Sequence, residues 1–281
     1  MIALLVRIFG RTLSWRFGRA LYMAARGEGP NDMQSNGESW LVEAVARSVQ
    51  TSDTAPVVID CGANLGLWSA MAIDAFARAG RPAIHHLLEP TPVSRATITD
   101  RFAGADNVHV HGVALSDRNG DAQFHIVAPT GGTNSLIGDT GGAADTITVI
   151  VARGGDYFAN LGIDHIALLK IDTEGHDFAV IEGFGPWLAS HRIDVIQFEY
   201  NHRWLGQRRS MRDIFELAAT AGYRVGRLHA SGVDMFESYN PENDRFFEWN
   251  YVLILPDIAR QLDAREFCWS PYNTLQPANM G

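Results

Sequence analysis

The stretch from Val57 to Gly66, Val-Val-Ile-Asp-Cys-Gly-Ala-Asn-Leu-Gly, restricts the fold of this chain more than any other. Val57, Val58 and Ile59 are β-branched in a row, which suits a strand covered on both faces of a parallel sheet, where neither side of the strand meets water. The strand should end at Asp60. Gly62 and Gly66 then bracket a turn where backbone can approach a ligand with no Cβ in the way, and Leu65-Gly66-Leu67-Trp68 opens an apolar-periodic helix reaching Ala79. Strand, glycine turn and helix make a cradle of the nucleotide-binding kind.

Two ligand classes use such a cradle, and Asp60 helps to separate them. A dinucleotide rests its pyrophosphate on the helix N-terminus, and a carboxylate two residues before Gly62 would repel it. Asp60 suits a cationic ligand instead. The order acid-x-Gly-x-x-x-Gly resembles the first motif of S-adenosylmethionine-dependent methyltransferases, whose ligand carries a sulfonium and an ammonium and no phosphate. On this reading Asp60, Gly62, Ala63, Asn64 and Gly66 bind the cofactor, whereas a bare strand-to-helix turn would use the same letters.

Further strand tips extend the pattern. Ala83 to Leu88 reads as a second strand ending at Glu89-Pro90. A carboxylate there can accept from both vicinal hydroxyls of a ribose, which makes Glu89 the expected ribose ligand. An acid before the helix from Pro92 to Phe102 would serve the helix dipole equally well. His85 and His86 point to opposite faces, which argues against a shared metal site. A third strand, Asn107 to Val113, leads into Ala114-Leu115-Ser116-Asp117. In a doubly wound sheet that end lies beside the base of a nucleoside, so Ala114, Ser116 and Asp117 are expected to border an adenine, with a turn around Asp117 and Asn119 as the plainer account. The β-like runs Ala122 to Ala128 and Thr146 to Val151 flank a loop carrying Gly131-Gly132-Thr133-Asn134-Ser135 and Gly141-Gly142. Loops of that length are often functional, and Thr133, Asn134 and Ser135 offer hydrogen bonds to a polar substrate.

The second informative stretch is Ile166 to Gly175, a buried strand that ends in Asp172-Thr173-Glu174-Gly175 and is followed by a helix containing Phe178, Val180 and Ile181. Ile193 to Glu199 repeats the device, with Tyr200-Asn201-His202 beyond. Parallel sheets bind ligands at the carboxyl ends of their strands, so Asp60, Glu89, Asp172, Glu174 and Glu199 should gather on one rim.

Together these stretches resemble the FkbM family of S-adenosylmethionine-dependent methyltransferases over roughly Glu38 to Leu255, the usual extent of one domain. The carriers are Ile59 to Gly66, Glu89-Pro90, Ala114 to Asp117, Leu169-Lys170-Ile171-Asp172-Thr173-Glu174-Gly175-His176 and Phe198-Glu199. The resemblance implies a class I, Rossmann-like α/β fold with a mostly parallel central sheet and helices on both faces. It also implies S-adenosylmethionine as cofactor and, commonly, O-methylation of hydroxyls on sugars, polyketides or other natural products. Tyr223 to Leu228 and Asn250 to Leu255 read as the antiparallel edge pair that closes such a sheet.

Methyl transfer asks mainly for orientation: a nucleophilic oxygen must lie about 3 Å from the methyl, in line with the departing sulfur. An alcohol also needs its proton removed. Asp172 is the first candidate base, at a strand tip facing the methyl, with Glu174, His176, Glu199 and His202 in reserve. Helix capping and an ion pair with Lys170 are the structural accounts of the same acids. Asp172, Glu174 and Glu199 could also hold Mg²⁺, a reading not favoured because acids at a helix start need no ion. Two functions compete: a nucleotide-dependent oxidoreductase, and a non-catalytic cofactor-binding or assembly protein.

Composition narrows the partners. The 281 residues carry a net charge of −9 with a pI near 5.5, which argues against nucleic acid captured by a basic surface. Cys61 and Cys268 do not make a disulfide framework and fit a reducing cytoplasm. The chain divides into a basic N-terminal extension and linker over 1–37, a methyltransferase domain over 38–256 and a tail over 257–281. Up to Arg26 the only charges are Arg7, Arg11, Arg16, Arg19 and Arg26, set among aliphatic and aromatic residues at helical spacing. The apolar run is too short to span a bilayer. Such a helix rests on an anionic membrane or covers an amphiphilic acceptor, or it packs on the domain or on a second copy of the chain, the commoner use of an apolar stripe.

Overall fold

The computed structural model describes residues 2–29, 32–49, 54–128, 134–138 and 145–278, so Gly131, Gly132, Thr133, Gly141 and Gly142 lie outside the described residues. In chain order the first half contains α1 (Ile2–Ala25), α2 (Glu38–Ser48), β1 (Val57–Cys61), α3 (Leu67–Arg78), β2 (Ile84–Leu88), α4 (Pro92–Arg101), β3 (Val108–His111), β4 (Ala114–Ser116), β5 (Gly120–Ile126) and β6 (Asp145–Arg153). Then come α5 (Gly154–Asn160), β7 (Ile166–Ile171), α6 (Asp177–Gly183), α7 (Gly185–Ala189), β8 (Ile193–Tyr200) and α8 (Met211–Ala221). The last are β9 (Arg224–His229), β10 (Gly232–Phe236), β11 (Trp249–Ile254), α9 (Pro256–Gln261), β12 (Arg265–Trp269) and β13 (Leu275–Pro277).

Ten of these strands form one sheet in the order β13-β12-β10-β9-β11-β8-β7-β1-β2-β3. From β8 to β3 all neighbours are parallel, as expected of continuous β-branched runs covered on both faces. Alternation sorts their side chains into two cores. Val58, Leu168, Val195 and Val252 face α2 and α3, where Leu41, Val45, Trp68 and Phe76 are buried. Ile59, Leu169, Ile196 and Leu253 face the other way, against Phe178, Phe184, Leu188 and Ile214. Helices therefore cover both faces, the class I arrangement.

The sheet beyond β8 is wider than an antiparallel edge pair, and within it β12 runs parallel to β10. β9 and β11 pair antiparallel as expected, but β10, β12 and β13 continue the sheet beyond β9. Two of those strands lie after Pro256, where the sequence offers only short, mixed runs.

The third expected strand ends at His111, two residues early, and the Ala114–Ser116 run that follows is a strand of its own. Val108–His111 joins β2, whereas Ala114–Ser116 leaves the main sheet after Gly112 and pairs with β6 in a second sheet of order β4-β6-β5. This small sheet closes over its own core of Ala114, Phe124, Val149 and Val151. His86 and His111 meet across β2 and β3, Nδ1 to Nε2 at 2.9 Å, and Tyr157 reaches the other nitrogen of His111 at 2.9 Å. His85, on the opposite face, is buried beside Phe76.

Candidate active site

The strand-end residues come together around Gly62. The turn after β1 is pinned by backbone bonds from Gly62 N and Ala63 N to Leu88 O, at 3.0 and 3.1 Å, and from Asp172 N to Cys61 O at 3.0 Å. Gly62 has φ +88°, and a Cβ there would stand 2.0 Å from the carbonyl oxygen of Asp172. The glycine is needed for the close passage of β1 against the end of β7. Gly66, at φ +71°, makes room in the same way for Ile98 and Phe102 of the α4 region. Cys61 is a buried core residue, its thiol pushed up by burial.

Two hollows flank this turn. The first has a cavity volume of about 50 Å³ and is bounded by Glu89, Ala114, Leu115, Phe124, Thr173 and His176; the second, of about 180 Å³, is bounded by Glu38, Leu67, Trp68 and Lys170. Both are lined by Gly62, Asn64 and Asp172.

Glu89 is held at the first hollow by three donors. Asn64 N reaches Oε2 at 2.9 Å, while Thr91 N and Oγ1 reach Oε1 at 2.8 and 2.6 Å. Burial raises its carboxyl above the ordinary value, and these bonds oppose the shift. A carboxylate oxygen accepts about two hydrogen bonds, so Oε1 is filled and Oε2 keeps room for one donor. The expectation that Glu89 grips two vicinal hydroxyls narrows to one.

Asp60 faces neither hollow. It is 1% exposed and accepts from Ser69 Oγ at 2.6 Å, with Lys170 Nζ at 3.4 Å. Asp60 and Lys170 are register partners across β1 and β7, and Lys170 in turn pairs with Gln197 of β8, so a polar row crosses the α2 face. Gln197 donates to Glu38 Oε1 at 2.6 Å. Lys170 Nζ also lies 3.2 Å from Asp172 Oδ2. Burial pulls the lysine down, but Asp172, Asp60 and Glu38 outweigh it and hold the ammonium above its ordinary value. Asp60 thus meets the second hollow only by way of Lys170.

The five candidate bases separate. The Asp172 side chain keeps 40% exposure and lines both hollows. Glu174 lines the first but is ion-paired with Arg203 and sits at φ +56°. Burial and Asp172 push its carboxyl up to about 8 against the pull of Arg203. His176 also lines the first hollow, yet Ser116 Oγ lies 3.0 Å from Nε2 and Gln207 Nε2 lies 2.7 Å from Nδ1. Burial lowers this histidine to about 4. Glu199 is buried, accepts from Asn201 Nδ2 at 2.6 Å and lines neither hollow; burial, then Asp172 and Glu174, raise its carboxyl well above the usual range. His202 is exposed and lines neither hollow.

Of the residues expected beside an adenine, Ala114 lines the first hollow, with Val113 and Leu115. Ser116 and Asp117 are set back, where Ser116 Oγ donates to Asp117 Oδ1 at 2.9 Å and meets His176. Asn134 lines the first hollow, and Ser135 Oγ donates to the carbonyls of Thr173 and Glu174 at 3.1 and 3.0 Å. Glu38 and Lys170 had no place among the expected site residues. The signal that could have placed Lys170 is a lone cation inside an otherwise apolar strand, opposite Asp60 when β1 and β7 are aligned. Among the described residues no three His, Cys, Asp or Glu side chains converge in a way that could hold a metal ion.

The methyltransferase FkbM domain model matches residues 60–225. No curated protein matches the chain. Solved structures similar to it include the precorrin-6y C5,15-methyltransferase of Geobacter metallireducens, at 13% identity and TM-score 0.38 over 77% of this chain and 87% of that one. A SAM-dependent methyltransferase from Agrobacterium tumefaciens is 10% identical, with TM-score 0.39 over 76% and 59% of the two chains. A putative RNA methyltransferase from Pyrococcus horikoshii is also 10% identical, with TM-score 0.34 over 76% and 78%. With its model spanning more than half of the chain, from the end of β1 through β7 and β8, the protein belongs to the FkbM methyltransferase family.

Proposed function

We propose that this FkbM methyltransferase methylates a hydroxyl on a sugar, polyketide or other natural-product acceptor, with Asp172 as general base. S-adenosylmethionine, the cofactor the family implies, supplies an electrophilic methyl on a positively charged sulfur when bound. The chain's residues suit its two ends. Glu89 offers one acceptor to a ribose hydroxyl beside the apolar wall of Ala114 and Leu115. Across Gly62, Lys170 offers a cation to the carboxylate of an amino-acid end, and Glu38 offers an acid to its ammonium.

The observation that carries the base assignment is that Asp172 alone among the candidate bases lines both hollows. Lys170 engages Oδ2, so Oδ1 is the oxygen left to take a hydroxyl proton. Calorimetry should show binding of S-adenosylmethionine and none of a nicotinamide dinucleotide, and mass spectrometry of a hydroxylated acceptor library should show methylated products. Asp172→Asn should lower kcat by about a hundredfold or more, beyond any change in cofactor Kd. Undiminished turnover in that variant, or methyl found on nitrogen or sulfur with hydroxyls untouched, overturns the proposal. For Glu89→Gln the expected result is the reverse split: cofactor Kd rises by about tenfold and kcat changes little, because a hydrogen bond to a charged acceptor is lost from ground and transition states alike. An unchanged Kd removes Glu89 from the ribose.

A further inference from the structure

The first helix is the part of the chain that its own domain leaves most exposed. Its C-terminal end is fastened. Tyr22 Oη donates to Glu242 Oε2 at 3.0 Å, Arg26 Nε lies 2.6 Å from Glu28, and Arg227 bonds both Glu28 and the carbonyl of Arg26, at 3.1 and 2.7 Å. Arg19 lies over the ring of Phe247, 4.9 Å from its centroid. Toward the N-terminus the packing stops. Ile8, Leu13, Trp15 and Phe17 are 64, 55, 73 and 70% exposed, and the helix is broken at Gly10, at φ +75°. Phe9, Leu13, Phe17 and Leu21 line one side of a continuous apolar groove along it.

Charge decides what covers that face. With five arginines and no acid up to Arg26, and −9 for the whole chain, the remaining residues carry −14. A second copy of the helix would bring five more positive charges beside the first five. An anionic bilayer instead accepts the apolar groove into its acyl boundary and Arg7, Arg11 and Arg16 at its phosphates, while it repels the acidic body. We infer that α1 is an interfacial anchor that docks the enzyme on anionic lipid membranes. None of the described helices is long and apolar enough to cross a bilayer, so the helix would lie on the surface, and the break at Gly10 lets its two segments settle at different angles. The inference does not rest on the methyl-transfer assignment.

The full chain should sediment with vesicles of phosphatidylcholine containing about one third phosphatidylglycerol, and not with phosphatidylcholine alone, with binding falling as salt is raised. The triple variant Arg7→Glu, Arg11→Glu, Arg16→Glu should lose affinity for the mixed vesicles on the order of a hundredfold. Leu13→Asp should also weaken it, and both variants should keep the wild-type melting temperature and cofactor affinity. No sedimentation with either vesicle overturns the inference, as does equal, salt-insensitive binding to both. A dimer that Leu13→Asp dissociates, seen by analytical ultracentrifugation without vesicle binding, would assign the groove to a second copy.

Discussion

Gly62→Ala is expected to cost the protein both stability and cofactor affinity, far more than its single methyl suggests. Two effects add. The backbone at φ +88° lies where an alanine is strained by about 1 kcal/mol or more, and the new Cβ would stand 2.0 Å from the Asp172 carbonyl oxygen and 3.0 Å from its carbon. That oxygen is backbone at the end of a strand buried along its whole length, so it cannot swing aside as a side chain would. Either β7 or the turn after β1 must move, and both bound the hollows. A shift of about 1 Å in a catalytic group is enough to cost roughly a hundredfold in rate. The melting temperature should drop by several degrees, and turnover should fall by about a hundredfold or more in whatever fraction folds. Gly66→Ala is the control, because its Cβ would meet side-chain carbons of Ile98 and Phe102 at 2.9 Å rather than backbone. Equal losses in the two variants, or none in Gly62→Ala, would refute the backbone-collision account.

Lys170→Met should be the most destabilising change in the polar row. The methionine nearly matches the lysine stem in volume, so packing is largely kept while the charge is lost. Asp60 would then remain 1% exposed with Ser69 Oγ still donating to it, and Asp172 would lose the ammonium 3.2 Å away. Removing one partner of a buried ion pair costs about 3–5 kcal/mol, because the other charge stays behind uncompensated. Urea denaturation measures this directly. The double variant Lys170→Met, Asp60→Asn should recover part of the loss, since it removes the stranded carboxylate along with its partner. A single-variant cost below about 1 kcal/mol, or no recovery in the double variant, would show that Lys170 does not neutralise Asp60.

The sequence carries the parallel half of this fold in plain form, because strands buried on both faces leave long apolar runs with acids at their tips. Asp60, Glu89, Asp172, Glu174 and Glu199 do lie at or just beyond the carboxyl ends of their strands. What the letters hide is the direction of each side chain. Asp60 and Asp172 are both acids beside the same turn, yet one points into the sheet toward Lys170 and Ser69 while the other faces both hollows. Only the register of β1 against β7 separates them, and no local pattern reports register across about 110 residues. The strand at Ala114–Ser116 is hidden for a similar reason. Nothing in Val-His-Val-His-Gly-Val-Ala-Leu says that the chain changes partners after Gly112 and pairs again with a second sheet. His176 reads as a plausible base, but its two nitrogens are engaged by Ser116 and Gln207, which are distant in sequence and converge only once β4 and the turn before Arg208 pack on α6.

The small β4-β6-β5 sheet shares no strand with the ten-stranded one, but it contributes Ala114 and Phe124 to a wall of the first hollow. A change of length in the β5–β6 hairpin leaves every ladder of the ten-stranded sheet in place. Relatives can therefore be expected to differ most in that hairpin, tailoring the mouth for bulkier or leaner guests while the strand ends beneath keep a common geometry.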